Sequence, residues 1–173
     1  MSIPNSLKYT IANCGFITTH IANKYFNIHE NTFNTYVNTG ELNKSNLMLF
    51  GKISNIYTLS NKNINLLRKE CYPIYKHDSS QLEHDYLLLK TYLNLTQDER
   101  STWQNETALK IRFGKYIETS DAIFIKNNKI VGVEVITPEY KKDKKDKKEE
   151  FLKSKCDDFI ILNTKDFWRC FND

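Results

Sequence analysis

Apolar residues recur along the first quarter of the chain at the three- and four-residue spacing of amphipathic helices. The stretch "ITTHIANKYF" has four apolar residues at this spacing, and Thr18 or Thr19 precedes them as a candidate N-cap. An earlier helix begins near Pro4 and ends at Gly15, and a later one, "IHENTFNTYVNTG", ends near Gly40. The pattern therefore predicts three short helices.

The pattern then changes to the two-residue period of β-strands. "NLMLF" and "ISNIYTL" predict a hairpin that turns around Gly51 and Lys52. Three helices followed by a hairpin with a basic tip is the element order of a winged helix-turn-helix. The stretch "TGEL…YTLSNKNINLL" resembles the common pattern of such domains, in which a glycine ends the third helix and a Tyr-x-Leu-Ser strand closes the hairpin. A winged-helix DNA-binding domain is therefore predicted over residues 1–78.

One side of the predicted third helix is apolar, and the opposite side is rich in amides. At 100° per residue, four Asn and Thr side chains lie opposite the apolar stripe. Because amides can bond base edges and phosphates, the winged-helix resemblance implies that this side faces the major groove, with two hairpin lysines near phosphates. The six predicted DNA-binding residues are Asn31, Asn34, Thr35, Asn38, Lys44 and Lys52.

The second half of the chain shows helical and strand patterns in another order. "LEHDYLLLKTYLNL" predicts a helix that is covered on two sides. Strand patterns follow over residues 102–109, 121–126 and 129–137, and the last two form a hairpin around Asn127 and Asn128. A charged helix and a short buried strand, "DFIILN", complete the order αβββαβ. The predicted second domain spans residues 79–173, and the fold class is mixed, α+β or α/β.

Two carboxylates lie where the middle strands meet. Asp121 opens the second strand and Glu134 interrupts the third, so the hairpin brings them to neighbouring positions. The αβββαβ order resembles the PD-(D/E)XK nuclease-like fold, in which an Asp and a Glu at these places bind Mg²⁺ and a lysine positions the attacking water. The resemblance implies that Asp121 and Glu134 are catalytic and metal-binding, with Glu106 as a third ligand. Mg²⁺, which prefers oxygen ligands, is the expected cofactor if the carboxylate site is intact.

The lysine of that motif is missing from its usual place. The two-residue period puts position 136 on the same face as Glu134, and Ile136 stands there. Members of this fold group sometimes carry the lysine on the following helix. Lys141 is the nearest candidate in sequence and is taken as the catalytic lysine, with Lys153 and Lys155 further along the helix. Whether the second domain is an enzyme stays open.

The order of the short motifs resembles the replication-relaxation family of plasmids and other mobile elements. "YTLS", "LEHDYLLLKTYL", Trp103 with Glu106, and "SDAIFI…VGVEVIT" follow one another over residues 15–137. That family typically has a Pro-Asp pair before the second strand, where this chain has Ser120 and Asp121. The resemblance implies DNA-associated work on a mobile element.

The net charge of +4 lies entirely in the first half of the chain. Residues 1–78 carry eight basic and four acidic residues; the rest carry seventeen of each, since the whole chain has 25 basic and 21 acidic residues. A basic first half suits a polyanionic partner.

The cysteines and histidines lack metal-ligand spacing, which favours a reduced, cytoplasmic protein without zinc. No apolar run reaches membrane-spanning length, so no membrane partner is expected.

Three classes of function follow from these patterns. The preferred one is a DNA-binding accessory or regulatory protein of a plasmid, phage or other mobile element, with a degenerate nuclease-like core. Its partners are double-stranded DNA and mobile-element replication or transfer proteins, and self-association is left open. The second is an active Mg²⁺-dependent DNA endonuclease targeted by the winged helix. The third is a protein-docking inhibitor or interaction module.

Overall fold

The chain has a mixed α+β structure that divides into two units, Met1–Asp85 and Tyr86–Asp173. The computed structural model describes residues 2–171, with side chains described as far as Phe167. The division lies within helix α5 (Leu82–Asn94), whereas the predicted domain boundary lies between residues 78 and 79. Across the described residues, no helix is long and apolar enough to cross a bilayer.

The first unit contains the three predicted helices and the predicted hairpin. Its elements are α1 (Asn5–Cys14), β1 (Ile17–Thr18), α2 (Thr19–Phe26), α3 (Glu30–Asn38), β2 (Leu42–Leu49), β3 (Lys52–Leu59) and α4 (Asn61–Lys69). The strands form an antiparallel sheet in the order β1-β3-β2. Thr18 caps α2 by accepting the N–H of Ile21 at 3.3 Å, which confirms one of its two predicted N-caps. Phe50 and Gly51 form the hairpin turn with positive φ angles of 48° and 73°. The turn lies one residue earlier than the predicted Gly51 and Lys52, because Lys52 already pairs with Leu49 as the first residue of β3.

The second unit is built around a four-stranded sheet. Its elements after α5 are α6 (Gln97–Ser101), β4 (Gln104–Asn105), α7 (Glu106–Phe113), β5 (Ala122–Lys126), β6 (Lys129–Ile136), α8 (Lys142–Lys155), β7 (Asp158–Asn163) and α9 (Thr164–Phe171). The strand order is β4-β5-β6-β7; β6 and β7 are parallel and the other neighbours antiparallel. Asn127 and Asn128 turn the β5–β6 hairpin at φ 51° and 59°, as predicted.

Two strand predictions in the second unit are wrong, one in the length of the strand and the other in its burial. The strand over 102–109 shrinks to β4, because the side chain of Asn105 accepts the N–H of Ala108 at 3.0 Å and starts helix α7 at Glu106. The strand predicted as buried, β7, is the end member of the sheet. Its side chains Phe159, Ile160 and Ile161 are therefore 43%, 36% and 45% exposed.

Helices cover both faces of the second sheet. On one face Ile123 packs with Leu109 of α7 and Phe151 of α8. On the other, the ring of Phe124 stacks on Trp103, which contacts Tyr92 of α5.

Helix α8 comes unusually close to β6 because Gly132 has no side chain. A Cβ atom at that position would lie only 2.2 Å from Cδ2 of Leu152. This close approach fixes where the preceding turn of α8 meets the sheet.

Candidate active site

The two predicted carboxylates lie next to each other at the start of β5 and in the middle of β6. The backbone N–H of Asp121 donates to Oε2 of Glu134 at 3.2 Å, and the N–H of Val135 donates to Oδ2 of Asp121 at 2.7 Å. Both acids are only 4% exposed. The hairpin backbone therefore holds both carboxylates in fixed orientations, and their predicted proximity is confirmed.

A lysine from α8 joins the two carboxylates. Nζ of Lys148 donates to Oδ1 of Asp121 at 2.7 Å and to Oε1 of Glu134 at 2.9 Å, and the residue is 3% exposed. Since both bonds meet at one nitrogen, the two carboxylate oxygens face the same point in space. The hydroxyl of Tyr140 donates to the same Oε1 at 2.5 Å. Asp121, Glu134 and Lys148 are named here the buried triad.

The buried triad has unusual acid–base properties. Burial and the negative charge of Asp121 raise the pKa of Glu134 to about 7, against the opposing effects of Lys148 and Tyr140. Burial alone would lower the pKa of Lys148, but the charges of Asp121 and Glu134 outweigh it and raise that pKa above its ordinary value. The ammonium group therefore stays charged at neutral pH, and Glu134 takes up a proton more readily than an ordinary glutamate.

The shifted pKa of Glu134 predicts a pH-dependent stability. Because this carboxyl binds its proton more tightly when folded, its contribution to the free energy of unfolding is complete below about pH 4.5 and lost as the pH rises to about 7. We expect Glu134→Gln to remove this slope and the exposed Glu139→Gln to keep it. Urea unfolding at steps of pH measures both. An unchanged slope in Glu134→Gln would contradict the assignment.

The donor atoms suit a divalent cation that is held by two carboxylates. Mg²⁺ in proteins is commonly bound through one or two carboxylates and keeps several waters, so Asp121 and Glu134 are sufficient. The ammonium of Lys148 lies between their oxygens, so it must move aside for an ion to enter. Among the described residues, no group of three or more His, Cys, Asp and Glu side chains comes together to hold a metal.

The predicted third ligand, Glu106, does not join the other two carboxylates. It is the first residue of α7, not a strand residue, and its carboxylate lies 2.7 Å from Nζ of Lys110. The prediction depended on a strand that ends before this position.

The lysine at the site is not one of the three considered from the sequence. Lys141 is the exposed N-cap residue of α8, Lys153 pairs with Glu149 at 3.7 Å, and Nζ of Lys155 lies 5.9 Å from the centre of the Phe113 ring. The spacing of α8 contained the missed signal. Phe151 and Leu152 follow Lys148 by three and four residues, so a lysine at 148 shares their buried face.

Ile136, which stands at the usual lysine position, lies beside the buried triad. Ile136 lines the same small cavity as Glu134 and Lys148. The predicted shared face of positions 134 and 136 is thus confirmed, and the ammonium group reaches this face from the helix above it.

The six predicted DNA-binding residues are all exposed in the first unit. Helix α3 buries Phe33 and Tyr36, and the ring of Phe33 packs 4.2 Å from that of Tyr57 on β3. This packing turns the amide-rich side of α3 outward. Lys44 lies on β2 with Nζ 4.0 Å from Glu30, and Lys52 begins β3 beside the hairpin turn.

Comparison with protein-family models, with curated proteins and with solved structures finds no match for this chain. The resemblance to the replication-relaxation family stays a prediction.

Proposed function

We propose that this chain is a DNA-binding protein whose second unit carries a Mg²⁺-dependent site for phosphodiester cleavage. The observation that carries the proposal is the convergence of Asp121, Glu134 and Lys148 on one point of the sheet. The absence of a lysine at position 136 favours, from the sequence alone, a nuclease-like core that does not cleave DNA. Lys148 supplies that charge from α8, in keeping with the PD-(D/E)XK-type arrangement.

The energetics of the buried triad support a functional role. Removing charged groups from water costs several kcal/mol per ion, and well-packed apolar side chains at such places often stabilise a protein more than an ion pair does. Strongly shifted, buried titratable groups also cluster at functional sites. A triad that is 3–4% exposed is therefore better explained by chemistry than by packing.

Each member of the site has a distinct role in this proposal. Asp121 and Glu134 would hold Mg²⁺, which when bound polarises the scissile phosphate. Backbone N–H groups and the Tyr140 hydroxyl keep the two carboxylates oriented. Lys148, once displaced from between them, remains beside the carboxylates on α8, where its ammonium can stabilise negative charge that develops on a phosphate.

The first unit supplies the DNA contact in this proposal. Its helices and hairpin follow the element order of a winged helix, and α3 presents Asn31, Asn34 and Asn38 on its exposed side. The net positive charge of the chain also lies in this half. Amides that read bases, with hairpin lysines on phosphates, would direct the second unit to duplex DNA.

Two kinds of substitution should separate these contacts. Lys44→Ala combined with Lys52→Ala should weaken binding to all duplexes and lower the salt slope by about two, roughly one per lost phosphate contact. Asn34→Ala should instead relax sequence preference by about 1–3 kcal/mol at a single base pair. Fluorescence anisotropy of the full chain over a range of KCl concentrations measures both effects. The exposed control Lys69→Ala should leave the affinity for DNA unchanged. An equal loss of affinity in Lys69→Ala would mean that the hairpin substitutions act through the net charge of the protein and not through specific phosphate contacts.

The second candidate function is a non-cleaving accessory or regulatory protein of a plasmid, phage or other mobile element. The arrangement of the buried triad favours this second function. The ammonium of Lys148 already occupies the space between the two carboxylates, where a metal ion would bind.

Incubation of the full chain with supercoiled DNA, in Mg²⁺ and in EDTA, decides between the two functions. Cutting only in Mg²⁺ supports the endonuclease, and duplex binding without cutting supports the accessory protein. Failure to bind or cut DNA would leave the protein-docking alternative.

A further inference from the structure

Residues 110–117 comprise the last turn of α7 and the four residues after it, and are here called the basic–aromatic loop. They expose apolar side chains between cationic ones. The side chains of Ile111, Tyr116 and Ile117 are 74%, 93% and 48% exposed. Basic residues stand at positions 110, 112 and 115, and the sequence has no acidic residue between Glu106 and Glu118. Three apolar side chains exposed within seven residues, with cations between them, offer a surface that suits a partly apolar, anionic ligand.

Phe113 packs the basic–aromatic loop against α8, and two cationic side chains lie near the Phe113 ring. Its ring packs edge-on against Phe151 with centroids 5.3 Å apart. The guanidinium of Arg112 lies 5.0 Å from the same ring, and Nζ of Lys155 lies 5.9 Å from it. Arg112 also contacts the neutral amide of Gln104 at 3.4 Å, so this contact leaves its charge uncompensated.

A short connection joins the basic–aromatic loop to the buried triad. At one end Phe113 meets α8 at Phe151, and a few residues later Asp121 meets α8 at Lys148, one turn earlier in the helix. The connection from Phe113 to Asp121 is therefore anchored to α8 at both ends, and the backbone of Tyr116, five residues before Asp121, lies within about 18 Å of that residue. Thr119 and Ser120 are fully buried, so the exposed part of the connection is its first half, around Tyr116.

We propose that the basic–aromatic loop binds unpaired nucleotides of single-stranded DNA next to the buried triad. The ring of Tyr116 stacks on a base, and Arg112, Lys115 and Lys155 contact the flanking phosphates. Stacking platforms with cations beside them bind single strands with little sequence preference. Bases inside a duplex are already stacked, so a base must be unpaired to reach Tyr116. The inference rests on the proposed action of this unit on DNA and narrows its substrate to single-stranded, flapped or branched DNA.

Anisotropy of a short fluorescein-labelled oligo-dT with the full chain in EDTA tests the inference without interference from cutting. Tyr116→Ala should weaken binding by about 5- to 100-fold, the effect of losing one stacked base, while Tyr116→Phe should retain it. Lys115→Ala should weaken binding and lower its salt dependence; the exposed control Lys142→Ala, on the same unit, should change neither. Because Tyr116 makes little contact with the core, thermal melting should be the same for all four variants.

The outcomes separate this inference from the proposed function. Equal single-strand affinity of wild type and Tyr116→Ala, or no single-strand binding by wild type, overturns the inference even if Mg²⁺-dependent cutting occurs. Loss of binding in Tyr116→Ala with retention in Tyr116→Phe supports it even if no cutting is found. Duplex affinity, which depends on α3 and the first hairpin in the proposed function, should be the same in Tyr116→Ala and wild type.

Discussion

Lys148→Met should lower the free energy of unfolding by roughly 3–5 kcal/mol, the usual cost of removing one partner from a buried ion pair. The substitution keeps most of the side-chain volume but leaves Asp121 and Glu134 facing each other without a cation. The adjacent Lys147 is exposed, so Lys147→Met is a matched control that should change stability by no more than about 0.5 kcal/mol. Urea unfolding near neutral pH measures both. Equal stability of Lys148→Met and wild type would mean that the ion pairs of the triad are not formed in solution.

The same variant also tests whether the two carboxylates can hold a metal. Without the competing ammonium, Mg²⁺ or Mn²⁺ should bind between Asp121 and Glu134 and raise the stability of Lys148→Met more than that of wild type, since a ligand of the native state stabilises it in proportion to its occupancy. Lowering the pH should have a similar effect, because protonation removes the repulsion. Adding Glu134→Gln to Lys148→Met should abolish the response to metal. A metal response that survives this second substitution would place the ion elsewhere.

Local sequence was sufficient to predict both hairpins. The turn at Asn127 and Asn128 was predicted at those residues, whereas the first hairpin turns at Phe50 and Gly51, one residue before the predicted place. The proximity of Asp121 and Glu134 followed from the predicted β5–β6 hairpin. The first strand of the second unit was not predictable in this way, because the Asn105 cap starts a helix inside a strand-like pattern.

The position of Lys148 depends on packing between distant parts of the chain. Where α8 crosses the sheet is set by the close approach of Leu152 to Gly132, a contact that no local pattern reveals. The buried face of α8 could have been predicted from Phe151 and Leu152, and Lys148 lies on it. Nearness along the chain favoured Lys141, which is exposed at the start of α8. The exposure of β7 was missed for a related reason, since the sequence does not show which strand ends the sheet.

Asp121→Asn and Lys148→Met should each lower Mg²⁺-dependent cleavage by about 10²–10³-fold, the usual loss when a positioned acid–base or electrostatic group is removed. Lys141→Ala should cut at nearly the rate of wild type, because Lys141 is exposed at the start of α8 whereas Lys148 contacts both carboxylates. Single-turnover nicking of supercoiled and branched DNA, in Mg²⁺, Mn²⁺ and EDTA, measures the rates.

Loss of stability must be separated from loss of chemistry in this experiment. Circular dichroism at the assay temperature identifies conditions in which Lys148→Met is fully folded, and Asp121→Asn, which nearly preserves shape, provides an independent variant. If Lys141→Ala abolishes cutting while Lys148→Met does not, the lysine assignment is wrong and the residue nearest in sequence is the catalytic one. If wild type cuts neither substrate with either metal, the triad serves a non-cleaving DNA-binding protein. Rate losses confined to Asp121→Asn and Lys148→Met would instead show that the lysine missing from position 136 acts from the helix.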